Sequence, residues 1–166
     1  MALIRKPMTE EAALLKLADY CARGEHCSAE LLAKLAGWGV SEDAQMRIMQ
    51  TLSEKHYFDD ERFARAFAAD RLRFGKWGPR KIDQALWQKH IPESLRREVL
   101  DSLADEYLSV LRPLLKSRRR TVKAAGDYEL RVKLMRYALG RGFTLDQIRQ
   151  CMDVDDDMAD EDDFMD

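Results

Sequence analysis

Apolar residues recur along this chain with a period of 51 to 52 residues, and that recurrence limits its fold more than any other feature. Leu31, Leu35, Val40, Ile48, Met49 and Leu52 align, at a shift of 51, with Ile82, Leu86, Ile91, Val99, Leu100 and Leu103. A further shift of 52 reaches Leu134, Ala138, Phe143, Cys151 and Met152. Ser41, Pro92 and Thr144 keep the same register, and each suits the opening of a helix. A unit of this size buries too little apolar surface by itself, so neighbouring copies must stack.

The units read as helical. Only 8 glycines and 4 prolines interrupt 166 residues, few for an all-β chain, and the usage of Ala, Leu, Glu, Lys, Arg and Met favours helix. A further helix precedes each aligned pair, near 9–22, 60–74 and 104–118. The expected fold is therefore all-α, with three tandem three-helix repeats over 9–56, 57–103 and 104–152 in an elongated, curved array. Thr9, Ser28 and Asp59-Asp60-Glu61 mark helix starts. Gly24, Gly39, Gly75 and Gly142 mark helix stops, where a left-handed residue is expected.

Charge is unevenly distributed. The chain carries 28 basic and 30 acidic residues, a net of −2, yet nine of the acids lie from Asp153 onward with no Lys, Arg or His among them. Residues 1–152 thus hold 28 basic against 21 acidic residues, a net of +7. A basic body with an acidic appendage suits a polyanion or an acidic protein surface, with a merely solvated helical surface as the plainer reading. The segment 153–166 has too few apolar residues to pack, so a disordered acidic tail is expected there. Phe164 and Met165 near its end are either incidental or a hook for a partner.

The densest signal is YFDDERFARAFAADRLRFGKWGPRKIDQALWQKHI, residues 57–91. Asp59 and Asp60 read as a paired cap. Phe63, Ala64, Phe67 and Leu72 supply a buried face, while Arg62, Arg65, Arg71 and Arg73 decorate the remainder. Gly75 and Gly78 permit the GKWG turn, and Pro79 fits the first turn of the next helix. Arg71, Arg73, Lys76, Arg80 and Lys81 surround that turn and its aromatics. Phe74 and Trp77 fit core anchors of a short repeat, with stacking on a ligand as the alternative. SRRRTVK supplies a second basic cluster, Arg118, Arg119, Arg120 and Lys123, in the link between the first two helices of the third repeat. Arg131, Lys133, Arg136 and Arg141 extend it.

Other classes find little support. Cys21, Cys27 and Cys151 are too few for a disulfide framework. His26 between the first two lacks the distal ligand pair of a zinc site, and His56 and His90 fall at helix ends. Neither a secretory signal nor a run of 18 apolar residues is present. A Gly-rich phosphate loop, a nucleophile elbow and HExxH are all missing from the sequence. No metal, cofactor or catalytic apparatus is expected in what reads as a monomeric cytoplasmic protein.

FDDERFARAF followed by R-x-x-x-G-x-x-GPRKI resembles the signature of the RecX regulatory proteins, bacterial modulators of the RecA recombinase. The matching positions are Tyr57, Phe58, Asp59, Asp60, Arg62, Phe63 and Ala64, then Arg71, Gly75, Gly78, Pro79, Lys81 and Ile82. The resemblance spans roughly 12–152. His56 departs from it where a glycine often stands, and the acidic tail lies outside the pattern. The resemblance implies three three-helix repeats and a non-enzymatic protein that binds the RecA–DNA filament. It implies inhibition of RecA's ATP hydrolysis, strand exchange and support of LexA cleavage. Single- or double-stranded DNA is a further expected partner, with the cations and aromatics of the two basic clusters as the contact residues.

Overall fold

The computed structural model describes residues 6–162, and of 154–162 only the backbone. Among the described residues there are nine helices and no strands: α1 (Glu10–Arg23), α2 (Ser28–Gly37), α3 (Glu42–Glu54), α4 (Asp60–Arg73), α5 (Pro79–Gln88), α6 (Glu93–Ser102), α7 (Tyr107–Thr121), α8 (Asp127–Gly140) and α9 (Leu145–Asp162). They form three successive trios. None is long and apolar enough to cross a membrane. The chain divides into two compact units, one of residues 1–67 and 88–92, the other of 68–87 and 93–166.

The repeat pattern is a burial pattern. Leu31, Leu35, Val40, Ile48 and Leu52 are all buried, as are Ile82, Leu86, Ile91, Val99 and Leu103, and Leu134, Ala138, Phe143, Cys151 and Met152. In the first unit they join Ala13 and Leu17 of α1, with Trp38, Tyr20 and Met8 packed on the rim. In the second unit α7, α8 and α9 pack on one another around Leu111, Leu115, Leu134 and Ile148.

The turn between the second and third helix of each trio has one geometry. Gly39, His90 and Gly142, one per repeat, adopt φ of 74°, 59° and 95°. The next residue folds back: Val40 N–H donates to Leu35 O at 3.1 Å, and Phe143 N–H to Ala138 O at 3.2 Å. These are Schellman closures, completed by a buried apolar residue after the left-handed one. His90 adopts a conformation that glycine reaches without steric cost, and so does His56, with φ 58°. The left-handed backbone at position 56 accounts for the glycine that often stands there, and His56 holds the same geometry with a side chain.

Several expectations need correction. Gly24 has an extended backbone, φ 178°. Gly75 is not left-handed either; Lys76 takes that role, with φ 56°. Helix α7 absorbs Arg118–Arg120 instead of leaving them in a link, since arginine favours helix and cations stabilise a helix C-terminus. Apart from these corrections, the backbone of helix α9 continues to Asp162. Phe164 and Met165 lie outside the described residues.

The paired aspartates divide their labour. Asp59 Oδ1 accepts the Arg62 N–H at 3.0 Å, capping its own helix. Asp60 instead reaches the start of α2, accepting Ser28 N–H at 2.7 Å and the Ser28 hydroxyl at 2.6 Å. Helix α2 needs this, because Cys27 at its N-cap makes no side-chain cap. Beside it, burial alone would raise the Glu30 carboxyl, but hydrogen bonds from Lys89 (2.5 Å) and His26 (2.9 Å) outweigh burial and hold it below its ordinary value. Replacing Asp60 with Ala should cost about 1–3 kcal/mol in urea unfolding, because it orphans a part-buried amide and hydroxyl. Asp59→Ala, removing one exposed cap, should cost about 1 kcal/mol.

Candidate partner-binding surface

In the second unit, the sequence GKWGP becomes a turn held from both sides by backbone. Gly78 N–H donates to Arg141 O at 2.7 Å, and Arg80 N–H donates to Gly142 O at 2.9 Å. The two strands of chain approach so closely that a Cβ on Gly78 would strike the backbone of Gly142 and Phe143. A Cβ on Gly142 would in turn strike Lys81. Gly75 is required for a different reason, because its Cβ would lie 2.7 Å from Arg71 O. Arg141 completes the clasp: its guanidinium donates to Gly75 O and, at 3.2 Å, to Lys76 O. Arg141 acts here as a turn clamp rather than as part of an open cationic field.

The clasp presents Trp77. Its ring is half-buried between two cations, with the Arg71 guanidinium 5.0 Å and the Lys81 ammonium 4.6 Å from the centroid. Such arrangements contribute about 0.5–1 kcal/mol each where exposed. They also hold long side chains at a fixed place. Phe74 is 81% exposed, which corrects the expectation of a core anchor. It follows the last turn of α4, where the buried stripe has ended at Leu72. On α5, Arg80, Gln84 and Trp87 share an exposed stripe at i, i+4, i+7, opposite the buried Ile82 and Leu86. Trp87, 62% exposed, was missed from the sequence; its seven-residue spacing from Arg80 carried the signal.

The candidate cations fall into two groups. Arg73 forms a two-pronged pair with Glu106 at 2.7 and 2.8 Å, holding that carboxyl below its ordinary value by hydrogen bonding. Lys76 Nζ donates to Arg73 O at 2.6 Å, satisfying a carbonyl at the end of α4. In the first unit Arg62 pairs with Glu25 at 2.9 Å, and Arg65 with Glu61 at 3.0 Å. These four are engaged within the chain. Arg71 and Lys81 lie over Trp77 and Arg80 is exposed at the start of α5, while Arg118, Arg119, Arg120 and Lys123 lie at the end of α7 and just beyond it. Asp59, Asp60, Phe63, Pro79 and Ile82 are structural: caps, a helix start and buried side chains. Gly78→Ala should lower unfolding free energy by about 2–4 kcal/mol in denaturant titration, since backbone cannot yield as a side-chain end would. Gly126→Ala, with open space around it, should change stability by less than about 1 kcal/mol.

Known proteins resemble this chain over most of its length. Residues 59–100 match the RecX second three-helix domain, and residues 105–152 match the third. A regulatory protein RecX from Acinetobacter baylyi is 31% identical over 133 residues, covering 78% of this chain and 79% of the relative. Another from Halorhodospira halophila is 32% identical over 142 residues, covering 86% and 84%. The crystal structure of RecX from Lactobacillus salivarius superposes with a TM-score of 0.77 at 18% identity, over 87% of this chain and 94% of that one. A second RecX crystal structure gives 0.79 at 19% identity, over 87% and 73%. With two relatives above 30% identity over most of its length and two of its three-helix units matched in place, this chain belongs to the RecX family of regulatory proteins.

Proposed function

We propose that this protein binds the filament that RecA forms on DNA and restrains its activities: ATP hydrolysis, strand exchange and support of LexA cleavage. It would thereby modulate DNA repair and the SOS response. Membership of a family of regulatory proteins supports action through a partner. The observation that carries the reading is the clasped turn, where Trp77 sits between Arg71 and Lys81 with Phe74 exposed nearby in sequence.

Tryptophan and arginine dominate the energetics of protein interfaces because they bury large areas at little conformational cost. A tryptophan already fixed by backbone on both sides loses less freedom on binding than one on a mobile loop. Arg71, Arg80 and Lys81 add the charge complementarity that an acidic partner surface requires. Lys76 retains a left-handed backbone beside Trp77 where glycine would cost less, as strained residues at binding sites often do.

Reversing charge together at Arg71, Arg80 and Lys81 (each →Glu) should weaken inhibition of RecA's DNA-dependent ATPase by at least about tenfold, equivalent to ~1.4 kcal/mol. Helical content by circular dichroism should stay at the wild-type level. Undiminished inhibition by a helical triple variant would remove these residues from the contact surface.

A further inference from the structure

A second basic feature lies in the third repeat and shares no lining residue with the Trp77 turn. The last turn of α7, the link after it and the middle of α8 enclose an open groove of about 600 Å³. Arg118, Lys123, Lys133 and Arg136 line it, with Tyr137 and no acidic residue among the lining. The Arg118 guanidinium lies 4.6 Å from the centre of the Tyr137 ring. Lys133 is anchored by Glu129 at 2.9 Å and by Lys123 O at 2.6 Å. Lys123 and Arg136 are exposed and have no ion-pair partner among the described residues. Arg119 and Arg120 extend the positive charge along the same helix turn.

A dipole account covers only part of this. Arginines in the last turn of α7 do complement its C-terminal carbonyls. Lys123, Lys133 and Arg136 lie outside α7, however, and converge on the same space from the other side. Glu129 neutralises Lys133 and Arg118 lies over the Tyr137 ring, so Lys123 and Arg136 carry the positive charge that no acidic residue of the lining offsets. The lining also discriminates between polyanions. Protein interfaces centre on apolar anchors, whereas surfaces for nucleic acid are polar and strongly positive. Val122 and Tyr137 are the only apolar or aromatic residues in its lining, and Arg118 lies over the Tyr137 ring, in contrast to the exposed Phe74 and Trp87 of the second repeat.

We propose that this groove binds the phosphodiester backbone of a DNA strand without reading its bases, and that the third repeat holds DNA while the Trp77 turn meets protein. The proposal deepens the filament reading by dividing its two ligands between two surfaces. The DNA half stands on the groove alone, because phosphate neutralisation needs no RecA.

The test uses the full chain and fluorescein-labelled (dT)30, without RecA, titrated from 50 to 200 mM salt, with a 30-base-pair duplex as a parallel arm. Each phosphate contact contributes about 0.7 to the single-strand salt slope. The double variant Lys123→Glu/Arg136→Glu should therefore lose at least about tenfold in affinity at 50 mM salt, and its slope should fall by about 1.4. Lys123→Gln/Arg136→Gln should lose less in the same direction, which guards against misfolding of the reversed form. Trp77→Ala should bind (dT)30 within about twofold of wild type.

Wild-type affinity and slope in both double variants would overturn the proposal, as would failure of the native chain to bind either DNA at 50 mM salt. Preferential loss of poly-glutamate binding over DNA binding would overturn it too, since the groove would then be a protein site. Loss of DNA binding here, with full ATPase inhibition retained by the Arg71/Arg80/Lys81 variant, would keep the groove and sink the Trp77 surface instead.

Discussion

Everything proposed for the second repeat depends on one close backbone crossing, where Gly78 meets Gly142. Two amide-to-carbonyl bonds, at 2.7 and 2.9 Å, join the start of α5 to the turn between α8 and α9. Both positions exclude a Cβ, so the crossing has little room for repair by side-chain movement. Backbone bonds of this kind set position more tightly than surface ion pairs, which contribute at most about 1 kcal/mol and tolerate many geometries. Arg141 then holds the carbonyls of Gly75 and Lys76, the two residues that precede Trp77. The third repeat is thus both a candidate ligand site and the scaffold for the second repeat's presented turn.

The same economy appears in the turns of all three repeats. Gly39, His90 and Gly142 share a left-handed backbone, and each is followed by a buried apolar residue, Val40, Ile91 and Phe143. A histidine at one of the three positions shows that the geometry, not the residue type, is what the repeat requires. At Gly142 glycine is needed twice over, once for φ 95° and once for the approach of Lys81. Position 39 has the first demand but a milder second one, with Pro7 at 3.3 Å.

Much of the fold was legible in the sequence because burial follows period: the residues aligned at 51 and 52 are the ones the core closes around. Helix starts were legible where the cap is local, as at Ser41, Thr144 and Asp59. Asp60 was not, since its partner Ser28 lies 32 residues away and no local pattern encodes that bond. The candidate surface was legible in composition but not in role. Arginine content placed Arg62, Arg65 and Arg73 among the contact residues, whereas Glu25, Glu61 and Glu106 engage them within the chain. Phe74 read as core because short repeats need large anchors, yet it falls just past the end of the α4 stripe and faces water. Arg118, Lys123, Lys133 and Arg136 were legible as one basic cluster, whereas Arg141 could not be told apart from them, because its carbonyl partners Gly75 and Lys76 lie 66 and 65 residues away.

The central claim is that the clasped turn meets protein while the α7–α8 groove meets DNA. Amide hydrogen exchange measured on this chain alone, with single-stranded DNA, and with the RecA–DNA filament tests it most directly. The account predicts that amides over 74–81 gain protection only with the filament, and that those over 118–123 gain it with DNA alone. Protection of 74–81 by DNA without RecA, or a filament complex that leaves 74–81 exchanging as in the free chain, would contradict it.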